Sequence, residues 1–89
     1  MPDDITAVST LLEEVANDRT VPRNVRTPVM NAKADLANEK LDVELRISSA
    51  ISVLDEVAND INLPPYSRTQ VWKVVSKLET LLAAVKKGA

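Results

Sequence analysis

One stretch of this chain occurs twice, 42 residues apart, and no other feature narrows the fold as sharply. Glu14-Val15-Ala16-Asn17-Asp18 matches Glu56-Val57-Ala58-Asn59-Asp60, Val21-Pro22 matches Leu63-Pro64, and Arg26-Thr27 matches Arg68-Thr69. The register holds without a gap from Leu12 and Leu54, through Val29 and Val71, to Leu36 and Leu78. The repeated unit covers roughly 25 residues, the scale of one supersecondary element that cannot bury its apolar face alone. A chain of 89 residues built this way has room for one domain and one core, a little above the size at which disulfides or metal are usually needed.

Apolar spacing identifies what is duplicated. Ile5, Val8, Leu11, Leu12 and Val15 recur at helical intervals, as do Val43, Ile47, Ala50, Ile51, Leu54, Val57, Ala58 and Ile61. Val71, Val74, Val75, Leu78, Leu81, Leu82 and Val85 form another such stripe, and Val25, Val29, Ala32 and Leu36 a weaker one. The pattern predicts four helices over residues 4–18, 24–38, 42–60 and 66–86. Asn17 and Asn59 can end a helix in the left-handed conformation, and Pro22 and Pro64 cannot continue one. Ser67 followed by Gln70 has the spacing of a capping box for the fourth helix, and Thr27-Pro28 suits a cap and first helical position in the second. If the second helix instead starts near Asn24, Pro28 falls inside it and removes a hydrogen bond. The expected architecture is all-α: a single domain over residues 1–89, with one hairpin over 4–38, its copy over 42–86, and an approximate internal twofold axis.

Composition removes most chemistry. The chain has no cysteine and no histidine, which excludes disulfides, thiolate nucleophiles, the usual zinc sites and imidazole catalysis. Its one glycine, Gly88, lies past the last predicted helix, so no glycine-rich phosphate loop is expected. Apolar residues make up 45% and charged residues 27%, the balance of a folding chain. The longest apolar run, Leu81 to Val85, is far short of a membrane span, and Met1-Pro2-Asp3-Asp4 is acidic where a secretory signal is basic. These features predict a cytoplasmic protein with no catalytic residues, cofactor, metal, membrane contact or small-molecule substrate.

Three side-chain groups stand out. Glu14 and Asp18, with their copies Glu56 and Asp60, place pairs of carboxylates on one helix face, and Arg26 and Arg68 follow near the start of the next helix. An arginine there is unfavourable beside the positive end of the helix dipole, so ion pairs from Asp18 to Arg26 and from Asp60 to Arg68 are expected to brace the turns. The alternative is a metal-dependent enzyme using the four carboxylates, although di-metal bundles of that kind also carry histidines. Met30 and Trp72 occupy equivalent positions one residue off the inward stripe. They either pack between the hairpins or, with Leu45 and Val53, form an exposed surface for a protein partner or a second copy of the chain. The last helix carries Arg68, Lys73, Lys77, Lys86 and Lys87, candidate contacts for RNA or another polyanion, or else a solvated face. Charge is uneven: residues 1–44 hold nine acids and five bases, residues 45–89 six bases and four acids. That is too little basic excess for a nucleic-acid footprint over the whole domain. A non-catalytic interaction module is the leading reading.

The block from Leu12 to Asp18, the turn Val21-Pro22-Arg23-Asn24-Val25-Arg26, and Ala50 to Glu56 followed by Pro64-Pro65 and Arg68-Thr69 resemble uncharacterised protein family 0147, a set of short archaeal proteins of unknown function. The resemblance runs over nearly the whole chain. It implies an archaeal, cytoplasmic, compactly helical protein, and it carries over no activity, ligand or site residue. Pro28 departs from the family pattern, in which a good helix former is usual.

Overall fold

Each apolar stripe becomes one helix in a computed structural model that describes residues 2–88. The helices are α1 (Pro2–Asn17), α2 (Arg23–Ala37), α3 (Val43–Ala58) and α4 (Pro65–Gly88). Met1 and Ala89, the outermost residues of the expected 1–89 domain, lie outside the described residues. Each helix packs against its neighbours in the chain, α4 closes back onto α1, and neither diagonal pair packs together. Short turns make neighbours antiparallel: Ile5 shares a cavity with Leu36, Val43 and Val85 at one end, and Asp18 shares one with Tyr66 at the other. The result is an up-down-up-down bundle measuring 39 × 21 × 20 Å.

The duplicated residues are the core residues. Leu12 and Leu54, Val29 and Val71, and Leu36 and Leu78 are all buried, together with Val8, Ile47, Ala50 and Val74 from the same stripes. Apart from Ser67, aliphatic side chains fill this core, and Tyr66 and Trp72 both lie outside it. Ala32 and Ala50 are fully buried, so two of the innermost positions carry only a methyl group.

The helix ends differ from the sequence expectation in two ways. The asparagines do not turn left-handed: no described non-glycine residue has positive φ, and Asn59 sits at φ −89°, ψ −2°. The chain leaves each of the first three helices through a tightened last turn instead, with the amides of Asp18, Asn38 and Asp60 donating to the carbonyls of Val15, Asp35 and Val57 at 3.1–3.2 Å. The capping pairs also fall elsewhere. With Pro22 at the N-cap, α2 starts five residues before Pro28, and Thr27 donates to the Arg23 carbonyl from within the helix. Ser67 is likewise inside α4 and buried, while Gln70 donates to the Tyr66 hydroxyl. Pro22 and Pro64 fix the backbone for an early start, and their carbonyls accept the amides of Arg26 and Arg68.

The three turns share one design. Oδ1 of Asp18, Asn38 and Asp60 accepts the amide two residues on, from Thr20 at 2.8 Å, Lys40 at 3.0 Å and Asn62 at 2.8 Å. Their carbonyls accept the amides of Val21, Leu41 and Leu63, each at 3.1 Å. This Asx-turn folded into a β-turn is followed in every case by an arginine, at positions 26, 46 and 68. The 42-residue duplication therefore has a half-period: the turn also joins the two hairpins. Its steps, from Asp18 to Asn38 and from Asn38 to Asp60, differ by two residues, which hides it from comparison at any single offset.

Pro28 lies inside α2, where it leaves the Asn24 carbonyl without its helical donor. Gln70 occupies the equivalent place in α4. Pro28→Gln should stabilise the fold by at least about 1 kcal/mol, since proline is among the most costly residues within a helix. Urea unfolding checks this, and an unchanged midpoint would show that α2 already absorbs the proline without penalty.

Candidate functional site

Packing antiparallel helices end to start brings the C-terminus of α3 against the first turn of α4. There Arg68 donates from Nε to the Ala58 carbonyl at 3.0 Å and from Nη2 to the carbonyls of Asp60 at 2.9 Å and Leu63 at 3.2 Å. Arg46 does part of the same at the middle turn, from Nε to the Leu41 carbonyl at 2.8 Å. Arg26 Nε is buried and has no hydrogen-bond partner. The expected carboxylate ion pairs are therefore corrected: Arg68 reaches Asp60 through its main chain, and no ion pair joins Asp18 to Arg26 among the described residues. The physical reason is that the last carbonyls of a helix lack partners and carry the negative end of its dipole, so they satisfy a guanidinium as a carboxylate would. The Asp18 and Asp60 carboxylates are meanwhile engaged in their own turns.

The four carboxylates of the metal reading do not meet. Glu14 and Asp18 line a cavity of about 300 Å³ with Val15, Tyr66, Ser67 and Gln70 at the seam of α1 and α4. Glu56 and Asp60 line one of about 180 Å³ with Val57, Asn24, Val25 and Pro28 at the seam of α3 and α2. The two linings correspond residue for residue under the 42-residue offset, but they belong to opposite seams, and α1 does not pack on α3. No group of three potential metal-ligating residues comes together among the described residues. Bonds from the Thr20 hydroxyl and amide hold the Asp18 carboxyl below the usual carboxylate range. Slight desolvation opposes them, and Ser67 adds a smaller effect in their direction.

The basic candidates scatter over the last helix. Arg68 is committed to the turn, Lys77 lines a groove beside Asp4, and Lys86 Nζ lies 4.0 Å from Glu44 Oε1. Lys73 and Lys87 are exposed.

Met30 and Trp72 are not enclosed between the hairpins. They are 44% and 45% exposed, each turned about 100° from the buried valine before it. They project from α2 and α4, the diagonal pair, and so belong to separate faces. Leu45 is half exposed on α3, whereas Val53 packs against the core. Two residues are more open still, both at the α3–α4 turn: Ile61, expected in the inward stripe of the third helix but 91% exposed, and Tyr66 at 71%. Ile61 fits the period of the α3 stripe, and only the position of the helix end shows that it lies beyond the core.

The model of the uncharacterised protein family UPF0147 matches residues 2–81. A UPF0147 protein of Methanocaldococcus jannaschii is 43% identical over 79 residues, covering 88% of this chain and 85% of its own length. One from Thermoplasma acidophilum is 45% identical over 71 residues, covering 80% and 81%. Among solved structures, a protein of unknown function superposes with a TM-score of 0.85 at 44% identity, over 89% of this chain and 90% of its own. A UPF0147 protein from Thermoplasma acidophilum gives 0.84 at 41% identity, over 90% and 94%.

Two outcomes follow from the turn chemistry. Arg68→Met should lower stability by about 1–3 kcal/mol, the range for hydrogen bonds from a charged group, and Arg26→Met by clearly less. Equal losses in urea unfolding would mean that the carbonyl bonds do not distinguish the two arginines. The second concerns Asp18. Its folded pKa is depressed, so ionised Asp18 stabilises the fold above the unfolded value of about 3.9, and this contribution is lost as pH falls through the folded value. Between about pH 5 and about pH 2 the urea midpoint of the native chain should therefore fall further than that of Asp18→Asn. The variant should keep the turn, because Asn38 forms the same turn with an amide. Parallel falls would exclude a stabilising Asp18 carboxylate.

Proposed function

The chain belongs to the uncharacterised protein family UPF0147, and we propose that it is a non-catalytic, cytoplasmic protein interaction module working through the faces that carry Met30 and Trp72. The observation that carries this reading is the half exposure of the only tryptophan and of the methionine at its repeat-equivalent position. Both residue types are enriched at the cores of protein interfaces, and neither is needed here to fill the interior.

The reading takes residues 1–89 as one domain whose two hairpins are related by an approximate internal twofold axis. The matched linings of the two seam cavities support that relation. Under it, Met30 and Trp72 are the same point on two similar faces, and the module can engage two related sites or meet its own copy across a twofold. Leu45 extends the exposed apolar surface on α3.

Sedimentation at several concentrations tests self-contact, and pull-down with tagged native chain tests a partner. Trp72→Ala should fold normally, with stability within about 1 kcal/mol of the native chain because the side chain is half exposed, and should lose the association. Association unaffected by both Trp72→Ala and Met30→Ala would overturn the assignment of these faces.

A further inference from the structure

We propose that the face of α2 carrying Arg23, Arg26 and Met30, continued by Arg19 in the turn before it, docks an acidic segment of a protein partner. The proposal rests on the reading of Met30 as a contact residue and adds the chemistry of what that face meets.

Arg23, Arg26, Met30 and Lys33 follow one another at intervals of three, four and three residues, so they form one stripe along α2. The stripe runs beside α1, where Lys33 pairs with Glu13. Arg19, Arg23 and Arg26 have no such partner: none of their side chains makes an ion pair or a hydrogen bond among the described residues. The carboxylate next to them in sequence, Asp18, is held by the amide and hydroxyl of Thr20, and α2 has no acid in its first turn. Glu56 and Asp60 meet α2 on its other flank, beside Asn24 and Pro28. Arg23 and Arg26 are moreover like charges three apart on a helix, an arrangement that opposes folding.

The twin face shows that the fold does not ask for these cations. The 42-residue offset puts Ile61, Pro65, Arg68, Trp72 and Val75 where this face has Arg19, Arg23, Arg26, Met30 and Lys33. Arg68 is spent on the carbonyls of Ala58, Asp60 and Leu63. Arg26 makes no equivalent bond, and its Nε is buried without a partner. A guanidinium left in that state is costly in the free protein and gains correspondingly from a bound acceptor.

Guanidinium groups pair with carboxylates through two parallel hydrogen bonds, and Met30, 44% exposed between Arg26 and Lys33, offers an apolar contact in the same row. Carboxylates interleaved with an apolar side chain match that row. A nucleic acid matches it less well, because Tyr66 and Trp72, the aromatics on which bases could stack, belong to α4, which does not pack on α2. The chain's net charge of −2 also opposes a long polyanion more than a short acidic segment.

The test is fluorescence anisotropy of a labelled peptide repeating Glu-Leu-Asp, titrated with the native chain. The expected result is saturable binding that weakens as ionic strength rises from about 0.01 M to about 0.1 M, and that a peptide repeating Gln-Leu-Asn does not show. Arg26→Gln, and Arg23→Gln at an exposed position, should each weaken binding about tenfold, the loss of one charge-assisted contact. Trp72→Ala should leave it unchanged. No saturable binding, equal binding of the uncharged peptide, equal weakening by Trp72→Ala, or tighter binding of an oligouridylate would overturn the proposal. Self-association of the native chain in sedimentation that Arg26→Gln abolishes would also overturn it, by seating a second copy on this face. In the partner pull-down, association lost in Met30→Ala but kept in both arginine variants overturns this proposal alone, whereas association kept in both Met30→Ala and Trp72→Ala overturns the contact reading beneath it.

Discussion

The constraint on which the structure depends is the fate of the carbonyl groups at the ends of its helices. A helix leaves its last carbonyls unpaired, and a turn of five or six residues has little chain with which to satisfy them. Here the solution is compact: an Asx side chain holds the turn, a tightened last turn uses one carbonyl, and at α3 the arginine of the following helix takes the last one, that of Ala58, together with two carbonyls of the turn. Because that arginine stands one turn into the next helix, the bond fixes where one helix stops relative to where the next begins. All three connections span five or six residues, and it is this shortness that makes consecutive helices antiparallel neighbours.

This explains which parts were legible in the sequence. Helix number, type and approximate extent are readable because Val8, Leu12, Leu54, Val71 and Leu78 serve the core and nothing else, so their period reports burial directly. The helix ends were less readable, because Ser67 and Gln70 have the spacing of a cap while Pro64 sets the start of α4 earlier. The turns were misread for a related reason. A carboxylate and an arginine at fixed separation suggest an ion pair, yet Asp18 and Asp60 are held by amides in their own turns and Arg68 by carbonyls. Sequence displays side chains, and in this case the partners are main-chain atoms. The half-period is hidden in the sequence because its two steps are unequal and its middle copy replaces aspartate with asparagine and proline with aspartate.

Duplication separates what must be kept from what can change. Positions that serve the core and the turns remain similar between the repeats, as Leu12 and Leu54 or Val21 and Leu63 do. Positions that face outward at the same end have diverged in kind: Arg19 corresponds to Ile61, Arg23 to Pro65, and Asn24 to Tyr66. The α1–α2 turn thus presents two arginines where the α3–α4 turn presents an exposed isoleucine and tyrosine. One scaffold therefore offers two different tips, and the difference is not demanded by folding.

The same separation bears on how such a small bundle can carry a surface role. Its interior is aliphatic apart from Ser67, so the aromatic side chains that usually anchor a recognition surface are not used to fill it. Trp72 buries only part of its area on α4, and an exposed apolar group gains little from folding, since the gain scales with area removed from water. What remains uncovered becomes available to a second surface, and hot-spot energies concentrate on residues of this size. Ser67 shows the complementary case, a polar group placed inside where its twin Val25 is apolar. An outward tryptophan and an inward hydroxyl both oppose the pattern that folding alone would select. With the exposed Ile61 and Tyr66 of the α3–α4 turn, they are positions whose residue type the fold alone does not account for.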